Sequence, residues 1–141
     1  MTTKQQAQML ADKGLRPTPQ RLAVYDYLLG HPTHPTVDTI YQALLEQYPT
    51  FSRTTIYNSV KALCGAGLIR LVGIDPEEQR FDGNPQDHGH FQCSRCGRIL
   101  DFPLPEEFLR DLCPPGCEAT IQDVFLHGLC PACASQTHAK P

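Results

Sequence analysis

Apolar residues recur at helical spacing through the first half of the chain. Steps of three and four residues, typical of a helix with one buried face, join Val37, Ile40, Tyr41, Leu44, Leu45 and Tyr48. We expect this helix to begin after Thr36. Two helices precede it in the sequence: the first ends at Gly14, and the second starts at Pro19, behind Thr18 as N-cap, and ends at Gly30.

A fourth predicted helix separates an inward apolar face from an outward polar face. Ser52 can cap this helix, and Gly65 ends it. The inward residues are Ile56, Val60 and Leu63. The outward residues are Arg53, Thr54, Tyr57, Asn58 and Lys61.

Two strand segments, residues 68–75 and 77–83, predict a hairpin after the fourth helix, with a turn through Asp75 and Pro76. Three helices followed by a hairpin form a winged helix-turn-helix, whose last helix reads DNA. We therefore predict a DNA-binding domain over residues 1–83.

The remainder of the chain predicts a short hinge over residues 84–87 and a small α/β module over residues 88–141. The pattern favours strands within residues 90–93, 98–102 and 120–130 and a short helix at residues 106–112. The fold class expected for the whole chain is α+β.

Composition and charge limit the classes of function that the chain can have. A length of 141 residues allows two small domains, each of which would gain from a metal. No signal peptide or apolar run of about eighteen residues occurs, which predicts a cytoplasmic protein without a membrane partner. Residues 1–72 carry seven Lys/Arg and four Asp/Glu, whereas residues 73–141 carry five and eleven. This uneven distribution of charge favours a polyanion-binding half joined to a cation-binding half. The alternative is that charged residues on solvent-exposed faces are distributed unevenly by chance.

Four of the seven cysteines form two CxxC pairs, Cys93 with Cys96 and Cys130 with Cys133. In a reducing compartment, paired cysteines more often bind metal or do redox work than form disulfides. Four thiolates can surround a tetrahedral Zn(II) and leave no open position, which predicts a structural zinc. The alternative is a pair of thioredoxin-like redox motifs, but no βαβ pattern surrounds either pair.

Histidines and aspartates suggest a second kind of metal site. His88 and His90 are two residues apart, so on a strand they share a face; Asp82 precedes them and Asp101 follows. Imidazole with carboxylate suits Fe(II), Mn(II) or Zn(II), and two carboxylates favour Fe(II) and Mn(II). Two solvated histidines on an edge strand are an equal alternative for this pair, and a surface loop is the simpler explanation of His34.

The fourth helix also carries groups that can contact DNA, namely Arg53, Thr54, Thr55, Tyr57, Asn58 and Lys61. The tyrosine and the threonine methyl groups can touch thymine methyl groups, while the arginine and lysine can meet phosphate or guanine. A solvated helix face is the simpler explanation of any one residue. The winged-helix pattern and the charge division favour the set as a whole.

Several motifs occur in a characteristic order: GLRPTPQR, HPTVDTIY, SRTTIYNSVKAL followed by GLI, RFD, HGHFQCSRCGRILDF and GLCPAC. Together they are spread over residues 14–133, which is nearly the whole chain, and resemble the ferric uptake regulator family of metal-dependent repressors. The resemblance implies a winged-helix domain, a dimerisation domain with a structural zinc, a homodimer bound to a palindromic double-stranded operator, and no small organic ligand. It also implies a regulatory Fe(II) or Mn(II) held by His34, Asp82, His88, His90 and Asp101.

The two aspartates suggest a branch within that family. Iron-sensing members typically have glutamate at the positions of Asp82 and Asp101, whereas peroxide-responsive (PerR) members have aspartate, so this chain resembles the latter. In that branch, peroxide reacts at bound Fe(II), oxygen is added to a ligand histidine, here His34 or His88, and DNA is released; Mn(II) does not do this readily. Arg16 matches a basic residue that enters the minor groove in relatives.

Other positions depart from the family pattern. Cys113 and Cys117, in CPPGC, can be loop thiols, a reversible disulfide or an accessory metal pair, and Cys64 is expected to be inert. Gln122 stands where iron-sensing relatives have a histidine, which weakens an additional metal site.

The leading hypothesis is thus a peroxide-sensing repressor that is not an enzyme. One alternative is a repressor that senses iron, zinc or manganese availability. A second, of another class, is a CxxC thiol redox protein.

Overall fold

The computed structural model describes residues 1–75, 77–120 and 122–138. The chain forms two compact units, Met1–Pro85 and Gln86–Pro141. Pro76, which was predicted in the hairpin turn, and Ile121, within a predicted strand, lie outside the described residues. Within the part that is described, no helix is long and apolar enough to cross a membrane.

Four helices build most of the first unit: α1 (Thr3–Asp12), α2 (Pro19–Gly30), α3 (Val37–Leu45) and α4 (Arg53–Gly65). At each start, a side-chain hydroxyl accepts a hydrogen bond from a backbone N–H three residues later. These N-caps are Thr2, Thr18, Thr36 and Ser52. The caps predicted at Thr18 and Ser52 are therefore confirmed.

The predicted third helix was too long at its C-terminal end. The structure ends α3 at Leu45, although the Tyr48 N–H still donates to the Leu44 carbonyl at 2.8 Å. Pro49 disfavours the helical conformation for the residue before it, so the helical ladder stops early. Tyr48 instead stacks on Phe51 with ring centroids 4.6 Å apart, which extends the apolar face without extending the helix.

The core of the first unit forms where α4 packs against α2 and α3. Ile56, Val60 and Leu63 are at most 1% exposed, which confirms the predicted inward face of α4. Two strands, β1 (Arg70–Val72) and β2 (Arg80–Asp82), follow as an antiparallel pair. The predicted hairpin is thus confirmed, with strands shorter than the apolar pattern suggested.

The second unit contains a three-stranded sheet of β3 (Gly89–Cys93), β4 (Ile99–Phe102) and β5 (Val124–Gly128), with β3 in the centre. Strand β4 pairs with β3 in antiparallel orientation, and β5 pairs with β3 in parallel orientation. Helix α5 (Glu106–Leu112) matches its predicted bounds. The described residues also include a helix that the sequence did not predict, α6 (Pro131–His138).

Candidate metal centres

The four CxxC cysteines converge in the second unit because of the register between β3 and β5. Cys93, the last residue of β3, lies opposite Gly128 at the end of β5. The first CxxC turn therefore meets the second, which leads into α6. The four sulfurs lie within 4.8 Å of one another, and the Sγ atoms of Cys96 and Cys130 are 3.8 Å apart.

These distances fit a tetrahedral zinc. Two sulfurs that each lie about 2.3 Å from a tetrahedral ion are separated by about 3.8 Å. The backbone N–H of Cys96 donates to the Cys93 Sγ at 3.4 Å, and this bond, together with hydrogen bonds from the backbones of Cys130 and Arg95, lowers the pKa of the Cys93 thiol to about 5. Burial raises the pKa of Cys133 to about 12. A cation is required to keep all four sulfurs ionised in this space, and Zn(II) supplies that charge without an open coordination position.

The convergence of the two pairs also bears on the redox alternative. A thioredoxin-like dithiol needs one CxxC pair at the start of a helix, and only the Cys130–Cys133 pair has that setting among the described residues. The Cys93–Cys96 pair instead occupies the turn between β3 and β4. Because both pairs point their sulfurs at a common centre, the geometry favours a metal ligand set.

A buried histidine and a buried aspartate meet in the first unit. The Nε2 of His34 lies 3.6 Å from the Oδ2 of Asp82, and the two side chains are 2% and 5% exposed. The other oxygen of Asp82 accepts a hydrogen bond from the Asn84 N–H at 2.9 Å. This hydrogen bond orients the carboxylate, so Oδ2 is directed at the imidazole.

The backbone of His34 is held in an unusual conformation. Its φ of 58° lies in the left-handed region, which costs a residue with a side chain roughly 1 kcal/mol or more. The Arg80 guanidinium donates to the His34 carbonyl at 3.2 Å, and the Phe81 N–H donates to the Pro35 carbonyl at 3.0 Å. Strand β2 therefore fixes the loop that presents His34.

Two histidines meet one carboxylate in the second unit. His90 and Asp101 are cross-strand partners on β3 and β4, with Nε2 and Oδ1 3.5 Å apart. His88 precedes β3, and its Nε2 lies 3.6 Å from the Oδ2 of Asp101. The Nδ1–H of His88 donates to the Gln86 carbonyl at 2.7 Å, because a carbonyl can only accept. Metal-bound histidines commonly make such a bond, which directs the other ring nitrogen at the ion.

The nitrogen–oxygen separations in both clusters suit ligands of a common ion better than hydrogen bonds. A hydrogen bond of this type is about 2.7–3.2 Å long, whereas two ligand atoms about 2.1 Å from one ion lie roughly 3.0–3.5 Å apart. The observed values of 3.5 and 3.6 Å are close to the second range. Within each unit, the residues present therefore fit a divalent first-row metal.

Gly89 separates the two histidines of this cluster for a steric reason. It lies opposite Phe102, and a Cβ added to Gly89 would overlap the Phe102 ring. The phenyl ring therefore covers the glycine while His88 and His90 turn to the same carboxylate. The sequence alone did not predict this packing. It also did not predict that the Gln86 carbonyl binds His88 or that Arg80 binds the His34 carbonyl, since the residue type does not indicate which backbone groups form hydrogen bonds.

Helix α4 exposes most of its predicted DNA-contacting residues. Tyr57 is 44% exposed, and the Lys61 ammonium lies 5.6 Å from its ring centroid. Thr54 and Asn58 are also exposed, whereas Thr55 is half-buried. Arg16, at the start of the segment before α2, is exposed, and its carbonyl accepts a hydrogen bond from Arg21.

Arg53 differs from the rest of this face because it is already engaged. Its guanidinium meets the Asp38 carboxylate at 2.8 Å and lies 4.7 Å above the centroid of Tyr41. These contacts join the start of α4 to α3. In this conformation, Arg53 orients the helix as well as exposing part of its charge.

Comparisons with known proteins agree with this geometry. The model of the ferric uptake regulator family matches residues 12–111. The peroxide-responsive repressor PerR of Staphylococcus aureus is 41% identical over 97 residues, which cover 69% of this chain and 66% of that protein. The match thus spans slightly under two thirds of the curated relative.

Solved structures show the same fold. The ferric uptake regulator of Vibrio cholerae aligns with a TM-score of 0.74 at 22% identity, over 88% of this chain and 98% of that chain. PerR of Streptococcus pyogenes, described with its structural basis for peroxide sensing, aligns with a TM-score of 0.53 at 28% identity, over 93% and 92%. A zinc-bound manganese uptake regulator aligns with a TM-score of 0.68 at 24% identity, over 92% and 98%.

Proposed function

Since the chain belongs to the ferric uptake regulator family, we propose that it is a metal-dependent transcriptional repressor that senses peroxide. The proposal rests on one observation above all: the carboxylates beside the buried histidines are aspartates in both units. The relative that is 41% identical is itself a peroxide-responsive repressor. In this proposal the protein is a regulator and not an enzyme, because its own histidine is consumed.

We propose that one Fe(II) or Mn(II) binds His34, Asp82, His88, His90 and Asp101. The donor chemistry supports this, since three imidazoles with two carboxylates suit Fe(II) and Mn(II). When bound there, Fe(II) would supply the electrons that reduce peroxide, which Mn(II) would not readily do, and His34 and His88 are the ligands whose rings would gain oxygen. The protein orients the ligands in advance through the Gln86 carbonyl, which holds His88, and the Arg80 guanidinium, which holds the His34 loop.

The DNA partner in this proposal is a palindromic double-stranded operator, bound by a homodimer. Residues 1–83 would bind DNA, residues 84–87 would act as the hinge, and residues 88–141 would dimerise and hold metal. The exposed face of α4 supports the DNA-binding role. The sheet supports dimerisation, because among the described strands β5 is at the edge and its Phe125 and Leu126 are 36% and 50% exposed.

A comparison of two metal forms tests the peroxide proposal. Operator binding would be measured by fluorescence anisotropy for the Fe(II)-loaded and Mn(II)-loaded proteins, before and after low peroxide, followed by peptide mass spectrometry. We expect the iron form alone to lose binding and to gain one oxygen on His34 or His88. Intact histidines with unchanged binding in the iron form would exclude peroxide sensing. Binding that follows only the free concentration of a metal would favour the alternative, a sensor of metal availability.

Asp101→Glu provides a sharper test of the branch, because it adds one methylene and preserves the charge. We expect this variant to retain metal-dependent operator binding and to become less sensitive to peroxide in the Fe(II) form. Its matched control is Asp123→Glu, the same change at an exposed aspartate outside both metal clusters. Equal peroxide sensitivity in the variant, the control and the parent would show that aspartate at position 101 does not determine the response to peroxide.

Tyr57→Ala tests the DNA-binding face. Loss of the exposed ring should weaken operator binding by about 1 kcal/mol, roughly five-fold, if the ring contacts a base or a sugar. Tyr57→Phe is the control that keeps the ring and removes the hydroxyl. Zinc content should stay constant in both variants. Unchanged affinity in Tyr57→Ala would exclude this residue from the interface.

A further inference from the structure

A second pair of cysteines lies in the loop after α5, outside the zinc site. Cys113 and Cys117 flank the turn Pro114–Pro115–Gly116. The Cys117 N–H donates to the Pro114 carbonyl at 3.1 Å, and Gly116 has a φ of +81°. Proline at the second position and a left-handed glycine at the third define a type II turn, which reverses the chain between the two cysteines.

The turn directs one thiol towards the other residue. The Cys113 Sγ–H donates to the Cys117 carbonyl oxygen at 3.2 Å. Since a carbonyl oxygen lies about 2.4 Å from the Cα of its own residue, the Cys113 sulfur is at most about 5.6 Å from the Cys117 Cα. A disulfide requires the two Cβ atoms to lie about 3.5–4.5 Å apart, so the Cys117 side chain would have to turn towards the Cys113 sulfur that already lies beside its backbone.

The same pair faces an open cleft. Cys113 and Cys117 line a cavity of about 360 Å³ together with Glu106, Arg110 and Gln122. Cys117 is exposed and Cys113 is half-buried. A small oxidant in the cleft therefore reaches Cys117 first and has a second thiol beside it.

We propose that Cys113 and Cys117 are a redox modification site, where a hydroperoxide converts the two thiols into an intramolecular disulfide. The Cys117 thiolate attacks the peroxide, forms a sulfur–oxygen bond and breaks the oxygen–oxygen bond, which leaves Cys117 sulfenic acid and an alkoxide or hydroxide. The Cys113 sulfur then attacks the Cys117 sulfur and displaces water after proton transfer. Together the two sulfurs lose two electrons, and the peroxide is reduced to an alcohol or water, with a second molecule of water.

The other cysteines cannot substitute for this pair. Cys93, Cys96, Cys130 and Cys133 form the metal-binding cluster. Burial raises the pKa of Cys64 to about 11, so at neutral pH it stays a thiol with little nucleophilic character. The oxidation of Cys113 and Cys117 is also reversible, because a thiol reductant converts a disulfide back into two thiols. It does not convert an oxidised histidine back into histidine.

The experiment uses the full-length, zinc-loaded protein without added iron, so that histidine oxidation does not contribute. After low peroxide, remaining thiols are alkylated and the protein is digested with a protease that cleaves after glutamate. The peptide of residues 108–118 then carries Cys113 and Cys117 and is separated from the zinc ligands. Trypsin would leave all four cysteines beyond Arg110 in one peptide.

We expect this peptide to lose two hydrogens, to resist alkylation and to recover after dithiothreitol, with zinc content unchanged. Cys113→Ser should instead leave Cys117 as a sulfenic acid that dimedone traps. Cys64→Ser, the matched control, should behave as the parent protein.

Three results would overturn the proposal. The first is a peptide of residues 108–118 that stays fully alkylated while the zinc ligands oxidise. The second is a disulfide from Cys117 to another molecule in place of the internal bond. The third is an extra bound zinc that protects both thiols and is lost in Cys113→Ser, since this would identify an accessory metal pair.

Discussion

The two units are stabilised by different means. Among its described residues, the first unit has a core of fourteen buried apolar side chains, contributed by all four helices and the segments around them. The buried cluster described in the second unit consists of Cys93, Cys130 and Cys133, with Leu100 packed against it. Apolar burial alone stabilises a module of this size only marginally, and a metal held by the four cysteines would supply stabilisation that this small cluster does not. Two consecutive modules of one chain can thus depend on different chemistry for their stability.

Removing the zinc should have the largest effect, because structural zinc sites contribute about 10–16 kcal/mol to the folding of small modules. We expect a chelator or Cys96→Ser to raise amide hydrogen exchange across residues 89–138 and to leave α2 and α4 protected. Cys64→Ser is the control for loss of a cysteine outside the cluster. Protection that stays high in both units without zinc would disprove the difference between them.

Leu63→Ala should have the converse effect, with a loss of about 2–5 kcal/mol from the first unit. The chain has no tryptophan, and its five tyrosines all precede Pro85, so tyrosine fluorescence during urea unfolding reports the first unit alone. A chromogenic zinc indicator reports the second unit. Leu71→Ala, at a leucine that is 44% exposed, should change little. Zinc release at a lower urea concentration in Leu63→Ala would show that the units unfold together.

Gly89→Ala tests the tight packing inside the second unit. The new Cβ would overlap the Phe102 ring, and overpacking of this kind costs about 1–3 kcal/mol. We expect earlier zinc release in urea and weaker Mn(II) binding, because His88 and His90 flank the glycine. Adding Phe102→Leu should restore part of both properties. A Gly89→Ala protein that equals the parent would mean that the ring moves aside freely.

Asp38→Asn should have the smallest effect. The Asp38–Arg53 ion pair is short, but both side chains are more than 60% exposed, so water screens it and its contribution is about 0–1 kcal/mol. Urea unfolding followed by tyrosine fluorescence should therefore shift only slightly. A loss as large as that of Leu63→Ala would show that the pair, together with Tyr41, is part of the core of the first unit.

Local signals made much of the fold predictable from the sequence. Thr18 with Pro19 located the start of α2, and the apolar spacing of α4 identified its buried face. Helix α6 was missed because its sequence, PACASQTH, has no apolar stripe; it contains Cys133 of the cysteine cluster, whose position in a helix the CxxC spacing does not reveal. The end of α3 was misplaced because the apolar spacing continues to Tyr48 in a turn.

The candidate sites were predictable where spacing alone carries the chemistry. Two CxxC pairs identified the cysteine cluster, but their spacing does not reveal that β5 runs parallel to β3. The left-handed backbone of His34 could not be predicted from its neighbours in the sequence. Its contact with Arg80 joins residues 46 positions apart, which no local sequence pattern predicts. The role of the Gln86 carbonyl as acceptor for His88 could not be predicted from the sequence either, since every residue has a backbone carbonyl.

The parallel pairing of β3 with β5 also sets the order in which the second unit can assemble. Its two CxxC turns are brought together across 34 residues, as measured from Cys96 to Cys130. Closing a loop of that length costs roughly 3 kcal/mol of chain entropy, and such distant contacts form late in folding. The first turn is complete with Gly97 and can hold an ion with two sulfurs while the chain is still open. In a newly made chain, Cys93 and Cys96 are therefore available to an ion before Cys130 and Cys133 can close the site around it.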